Sequence, residues 1–190
     1  MHQRIVESAT EQIRRYGFRK FTVDEIARDL GISKKTVYKY FTGKSDIISA
    51  VVDNFLGLAK VTHLEALEFD GGVLEKLNTF LLCPIHDEVP SWLIAEMQQY
   101  FPEEWEKVRL FKQFNKNEIV KMLDQGIQEG IFRADVHPVL IEMVWEKTID
   151  AIFDFNFIKS CDLTVNQALE MLQTILYEGI KNKMNSEVVK

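Results

Sequence analysis

The fold is decided by residues 21–41, which read FTVDEIARDLGISKKTVYKYF. Thr22 and Glu25 have the spacing of a capping box, in which a hydroxyl and a carboxylate bind reciprocal backbone N–H groups, so a short helix is predicted to begin here. Gly31 permits a tight turn, and Ser33 is a suitable N-cap for another short helix directly after it. The stretch therefore predicts a helix, a turn and a second helix.

The second short helix, residues 34–40, carries an apolar face and a polar surface. Val37 and Phe41 are four residues apart, so they share the inward face. The other side chains offer hydrogen-bond donors for phosphates and base edges, and ring faces for sugars and thymine methyls; they are Lys34, Lys35, Thr36, Tyr38, Lys39 and Tyr40. In a helix-turn-helix the second helix enters the major groove of DNA, and this pattern favours that function.

The net charge of −6 and the pI near 5.3 argue at first against a nucleic-acid-binding protein. The charge is uneven, however. Residues 1–50 contain ten basic and six acidic residues, a formal charge of +4, whereas residues 51–190 carry −10. The asymmetry favours binding of a polyanion by the N-terminal end and not by the acidic remainder; the alternative is that the charge is uneven by chance.

Helical spacing of apolar residues continues along the chain. The first helix is expected to end at Gly17 and a longer one to begin near Lys44, and no alternating β-branched run favours a sheet. Further helices are predicted at 72–83, 89–100, 102–130, 138–159 and 164–184. The fold class is therefore all-α, with about nine helices.

Several other classes of protein are disfavoured. The N-terminus lacks the apolar core of a signal peptide, apolar runs are shorter than a membrane span, and two cysteines are too few for a disulfide framework. We therefore expect a cytoplasmic protein without a membrane partner.

Gly43 and Lys44 resemble the end of a P-loop, but Tyr38 stands where the first glycine is needed. Cys83 and His86 have a metal-like spacing without a second pair nearby in sequence. We predict no enzyme activity, no metal and no cofactor.

About residues 3–50 resemble the DNA-binding domain of TetR-type transcriptional regulators. The resemblance rests on Gly17-Phe18, Phe21-Thr22-Val23, Ile26-Ala27, Leu30-Gly31-Ile32-Ser33, Thr36-Val37-Tyr38, Tyr40-Phe41, Lys44 and Ile47. It implies a three-helix, helix-turn-helix DNA-binding domain at residues 1–45. It also implies a larger C-terminal helical bundle at residues 46–190 for ligand binding and dimerisation, which matches in length and helical patterning only.

The resemblance also assigns roles in DNA binding. Thr22, Tyr38 and Tyr40 would contact phosphates, and Lys34, Lys35 and Thr36 would face bases. Lys44 would meet a phosphate at the N-terminus of the fourth helix, where free N–H groups favour an anion. The full predicted DNA-binding set is Thr22, Ser33, Lys34, Lys35, Thr36, Tyr38, Lys39, Tyr40 and Lys44.

In such regulators the last two helices pair with those of a second copy as a four-helix bundle. The predicted interface residues here lie on the apolar faces of 138–159 and 164–184; they are Leu140, Val144, Thr148, Ala151, Phe155, Ala168, Leu172, Ile175 and Gly179. The alternative is that these faces form a core within one chain. A homodimer would hold two recognition helices about 34–36 Å apart, as reading a palindromic operator requires.

The middle of the chain is rich in aromatic residues, and similar regulators hold an inducer cavity there. The predicted pocket residues are Phe55, Phe80, Trp92, Phe111, Phe114 and Trp145, although each could instead be a core residue.

The sequence thus predicts a homodimeric repressor that a small apolar or aromatic ligand releases from DNA. The alternative is a DNA-binding adaptor whose C-terminal body docks a protein partner.

Overall fold

The computed structural model describes residues 1–81, 90–152, 160 and 162–182. Within these ranges it contains nine α-helices and no strand beyond one isolated bridge between Phe132 and Lys181, which confirms the all-α prediction. The helices are α1 (His2–Tyr16), α2 (Val23–Asp29), α3 (Lys34–Val37), α4 (Lys44–Glu68), α5 (Val73–Leu81), α6 (Ser91–Tyr100), α7 (Pro102–Gln128), α8 (Pro138–Ile152) and α9 (Val165–Ile180).

The chain forms two compact units. The first contains residues 1–60 and 89–109, and the second contains residues 61–88 and 110–190. Helices α4 and α7 each begin in the first unit and end in the second. The first unit therefore holds the predicted DNA-binding domain together with the start of α4, with α6 and with the start of α7.

The core of the first unit is built on helical spacing in α1. Ile5, Ala9 and Ile13 are each 2% exposed or less, and they pack with buried residues of α2, α3, α4 and α6. Gly17 ends α1 with a φ of 91°, a conformation that glycine adopts without the steric penalty of a Cβ. A Cβ there would also lie 2.5 Å from Oε2 of Glu96 on α6.

The core of the second unit joins residues of α4, α5, α7, α8 and α9. Phe132, just after α7, is fully buried and its ring packs directly on Gly126, where a Cβ would lie 2.2 Å from two ring carbons. Buried residues such as Trp145 of α8 and Leu172 of α9 belong to the same cluster.

Helices α3 and α9 end earlier than their sequence patterns predict. The regular α-helix α3 ends at Val37, after which the backbone continues in tighter bonds such as Tyr40 N to Val37 O at 2.9 Å. Helix α9 ends at Ile180, because Lys181 is extended and the next residue, Asn182, donates from its backbone N–H to Ile131 O. The last part of the predicted 138–159 helix and its Phe155 lie outside the described residues, as do Cys83 and His86.

Helix α4 is long and apolar enough to cross a membrane by length and composition alone. A core helix of a soluble protein satisfies the same criteria, and α4 has such a role. Its Ile48 and Val52 are buried in the first unit, and its Ala66 is buried in the second. Core packing therefore accounts for part of the apolar composition of α4, whereas Leu58, Val61 and Leu64 are exposed.

Candidate nucleic-acid interface

Side-chain caps fix the local geometry of the helix-turn-helix. Thr22 Oγ1 accepts a hydrogen bond from Glu25 N at 3.2 Å, and Thr22 N donates to Glu25 Oε2 at 3.0 Å, so the predicted capping box is confirmed. Gly31 has a φ of 65° in the turn. Ser33 Oγ then accepts from Thr36 N at 3.1 Å at the start of α3.

The α3 segment, defined here as residues 33–41, separates its apolar anchors from its polar side chains. Val37 and Phe41 are buried at 0% and 2% exposure. Thr36 is half-buried, and the remaining predicted DNA-contacting side chains of the segment are exposed; they are Ser33, Lys34, Lys35, Tyr38, Lys39 and Tyr40. The structure therefore presents these six residues together on the surface of one short segment.

The lysines of the α3 segment differ in their electrostatic environment. Lys34 Nζ lies 2.9 Å from Asp24 Oδ2 of α2, and the hydrogen bond to that carboxylate raises the pKa of Lys34. Within the described ranges, Lys35 and Lys39 form no ion pair. The ammonium group of Lys34 is thus already paired with a carboxylate, whereas Lys35 and Lys39 are exposed cations.

Lys44 has a different environment from the one its sequence position indicated. Its Nζ donates to the carbonyl oxygens of Arg19 and Phe21, each at 2.7 Å, and lies 4.4 Å from the centre of the Phe21 ring. Partial burial lowers the pKa of Lys44. Two of the three ammonium protons thus bind the backbone between α1 and α2, which leaves one for a phosphate.

The first turn of α4 also contains a carboxylate. Asp46 Oδ2 accepts hydrogen bonds from Thr42 N at 2.8 Å and from Thr42 Oγ1 at 3.2 Å. An acidic side chain is stabilising at this end of a helix. A phosphate that approaches the N-terminus of α4 therefore meets a negative charge beside the free N–H groups.

Helix α6 holds the turn between α1 and α2, a role that sequence reasoning missed. Glu96 Oε2 accepts a hydrogen bond from Phe18 N at 2.7 Å, and the Arg19 guanidinium lies 4.3 Å from the centre of the Tyr100 ring. Leu93 is buried in the same core. No local pattern signals these contacts, because about 80 residues separate the partners in sequence.

The predicted dimer residues divide between the surface and the core of the chain. Leu140, Val144, Ile175 and Gly179 are exposed, with Ile175 at 69%, and Thr148 and Ala151 are half-buried. Ala168 and Leu172 are 8% exposed within the cluster that joins α8 and α9.

The predicted pocket residues fall in both units of the chain. Phe80 and Phe111 both stack on the ring of His63, and Trp145 lines a cavity of about 20 Å³ between α5, α7, α8 and α9. Phe114 is half-buried on α7, whereas Phe55, half-buried, and Trp92, exposed, belong to the first unit. A cavity of this size holds about one water molecule. No group of His, Cys, Asp or Glu among the described residues could hold a metal ion.

Comparisons with known proteins agree with this geometry. The family model of bacterial regulatory proteins of the tetR family matches residues 5–51. An uncharacterized HTH-type transcriptional regulator of Bacillus subtilis, YvaF, is 26% identical over 183 residues, which cover 95% of each chain.

Two solved structures share the fold over nearly the whole chain. The first is a Saccharomonospora viridis protein, assigned as a transcriptional regulator and solved with choline. It has a TM-score of 0.81 and 19% identity over 96% of this chain and 98% of that one. The second is the transcriptional regulator FadR of Bacillus subtilis with stearoyl-CoA. It has a TM-score of 0.69 and 21% identity over 95% and 100% of the two chains.

These findings converge on one assignment. The family match covers the helices whose caps, buried anchors and exposed lysines form the candidate interface. The match to the Bacillus subtilis relative extends the similarity over nearly the whole length of both proteins. Residues 5–51 belong to the tetR family of bacterial regulatory proteins, and the chain is a DNA-binding transcriptional regulator.

Proposed function

We propose that the protein is a cytoplasmic homodimeric repressor. Two copies of the α3 segment bind a palindromic operator, and a small apolar or aromatic molecule that binds the second unit releases the DNA. The α3 segment carries the proposal, because its buried Val37 and Phe41 hold the exposed Lys35 and Lys39 outward on a positively charged N-terminal domain. Contacts of this kind supply both phosphate binding and base recognition.

The exposed apolar residues of α8 and α9 support the homodimer. Leu140 and Ile175 are half or more exposed in the single chain, and Val144 and Met171 are also exposed. Large apolar side chains clustered on a surface are typical of interfaces. A two-fold axis would bring the same patch of each copy together and fix the separation of the two α3 segments.

The structures solved with choline and with stearoyl-CoA support a small-molecule effector, since both have the same fold. In this chain the 20 Å³ cavity is far smaller than an occupied ligand site, which is typically about 300–1,000 Å³. A ligand of ordinary size at this cavity must therefore bind a more open conformation. The effector acts by shifting the population toward that conformation, which does not bind the operator.

Selection of bound DNA from a random pool, with the full chain, tests DNA recognition. We expect an inverted repeat whose half-sites are one helical turn, about 10–10.5 base pairs, or a multiple of it apart. Lys35→Ala and Thr36→Ala should alter the preferred bases, whereas Lys121→Ala, on exposed α7 surface, should leave them unchanged. Enrichment of a single half-site, or the same preferences for Lys35→Ala, would contradict the proposal.

The selected operator then tests the effector. A panel of small apolar and aromatic molecules is screened by thermal shift, and each stabilising compound is added to the fluorescently labelled operator complex. Loss of anisotropy at concentrations that saturate the protein supports release by a small molecule. Stabilisation without DNA release by every binding compound favours a body that docks a protein partner.

A further inference from the structure

His63 is an imidazole enclosed by aromatic rings in the second unit. Its ring stacks on Phe80 of α5 at 4.3 Å between centroids and on Phe111 of α7 at 5.4 Å, with interplanar angles of 16° and 7°. The residue is 4% exposed. Two apolar rings therefore stack on the imidazole, and a hydrogen-bond partner of a ring nitrogen approaches in the plane of the ring.

One ring nitrogen of His63 has a partner and the other does not. Nδ1 lies 3.0 Å from Asn115 Oδ1. Because a carbonyl oxygen only accepts, Nδ1 carries the proton, and in the neutral ring Nε2 is then an acceptor. Burial lowers the pKa of His63 and favours this neutral form. Nε2 is buried without a hydrogen-bond partner in the described part of the chain, and such an atom calls for a donor.

The residues of α5 and α7 that contact His63 are sequence neighbours of residues that line the apolar cavity. On α7, Phe111 and Asn115 contact His63, while Ile119 and Leu123 line the cavity, and the four residues recur every four positions. One such step is about 6 Å along the helix axis. On α5, Phe80 contacts His63, and its neighbours Leu77 and Leu81 line the cavity.

We propose that His63 Nε2 accepts a hydrogen bond from a hydroxyl group of an uncharged, largely apolar ligand whose chain extends along α5 and α7 into the enlarged cavity. The apolar lining excludes an unpaired charge, which would be costly to bury. The inference rests on the proposed ligand-responsive function, and it names the chemical class of the effector and its polar anchor.

A pair of isomeric probes tests the anchor. 1-Hexanol and methyl pentyl ether have the same atoms, but only the alcohol donates a hydrogen bond. In long-range ¹H–¹⁵N spectra of the labelled full chain, we expect an unprotonated Nε2 whose signal moves on addition of 1-hexanol and stays in place with the ether. The alcohol should bind roughly tenfold more tightly, as one hydrogen bond to a buried acceptor allows.

Substitutions distinguish the contribution of His63 Nε2 to probe binding from that of the surrounding side chains. His63→Phe keeps a third ring in the stack and removes Nε2, so both probes should bind within about twofold of each other. Thr79→Ala, which removes an exposed hydroxyl bonded to Glu75 O on α5, should keep the tenfold preference. If His63→Phe does not fold, Asn115→Leu serves instead: without Oδ1 the proton redistributes between the ring nitrogens, and the preference for the alcohol falls.

Several outcomes would overturn the anchor. They are a protonated Nε2 in the free protein, equal movement of its signal by both isomers, binding of neither isomer, and a preference that survives in His63→Phe. Because none of these measurements uses DNA, they are independent of release from the operator. A bound alcohol that leaves operator binding unchanged refutes this class of effector but not the hydrogen bond.

Discussion

Lys44 Nζ donates a hydrogen bond to the carbonyl oxygen of Phe21 at 2.7 Å and lies 4.4 Å from the centre of its ring. The same ammonium donates to the carbonyl of Arg19. The first turn of α4 is thereby joined to the backbone directly before α2. Lys44 therefore has a structural role within the DNA-binding unit, in addition to the phosphate contact proposed for it.

Replacement of Lys44 by Met tests the structural role. The substitution keeps an apolar stem near the Phe21 ring but removes the donors to two carbonyls. We expect the free energy of unfolding in urea to fall by about 1 kcal/mol. Lys39→Met, at an exposed position, should change stability by less than about 0.5 kcal/mol and still weaken binding to all DNA sequences. Equal stability of Lys44→Met and the parent chain would show that the hydrogen bonds contribute nothing.

Replacement of Asp24 by Asn should strengthen DNA binding. Asp24 is the ion-pair partner of Lys34, and both side chains are exposed. Without the carboxylate, Lys34 does not have to break an ion pair before it binds DNA. The affinity for DNA should therefore rise a few-fold, since an exposed ion pair contributes about 1 kcal/mol or less. Affinity is measured by anisotropy between 50 and 200 mM salt, concentrations typical for such titrations.

The matched control for Asp24→Asn is Glu7→Gln on exposed α1, which changes the charge of the same unit equally. If both substitutions raise the affinity by the same factor, the effect is one of net charge and the pair with Lys34 is irrelevant. A larger gain for Asp24→Asn identifies the pair as the cause.

The features that sequence reasoning found are local. The capping box at Thr22 and Glu25, the positive φ at Gly31 and the inward Val37 all depend on residues within a few positions of one another. Each of these features arises from interactions between residues that are close together in sequence, so the residue types and their spacing are enough to predict it. The helix-turn-helix and its exposed polar residues could therefore be predicted.

The features that it missed depend on residues far apart in sequence. The bond between Glu96 and Phe18 and the stack of Phe111 on His63 join different helices, and no periodicity within one helix predicts which helix packs against which. Apolar faces present a related difficulty. Leu172 is buried within the chain and Ile175, three residues later, is exposed, although both belong to one apolar stripe.

Ile175→Glu should disrupt the homodimer without unfolding the chain. Ile175 is 69% exposed on α9, so its replacement costs the single chain little but would bury unpaired charges at a two-fold interface. We expect the sedimentation coefficient to change from that of a dimer to that of a monomer, and operator affinity to fall as the second α3 segment is lost.

Two further variants on α9 serve as controls for Ile175→Glu. Thr174→Glu places the same charge one position earlier on exposed α9 surface and should remain dimeric. Leu172→Glu, at a buried position, should unfold the chain. A dimeric Ile175→Glu protein would exclude this part of α9 from the interface.

The stability of the second unit should depend on pH through His63. Burial lowers the pKa of His63 in the folded chain, while in the unfolded chain the imidazole titrates near its ordinary value of about 6.5. Below that pH the unfolded state binds more protons, so folded-state stability falls as the solution is acidified, by at most about 1.4 kcal/mol per pH unit. Urea unfolding of the parent and of His63→Phe between pH 7.5 and pH 5.5, about one unit on either side of the ordinary value, measures the difference, since the other three histidines are common to both. The variant should lose less stability on acidification, and parallel profiles would show that His63 has the same pKa in the folded and unfolded chains.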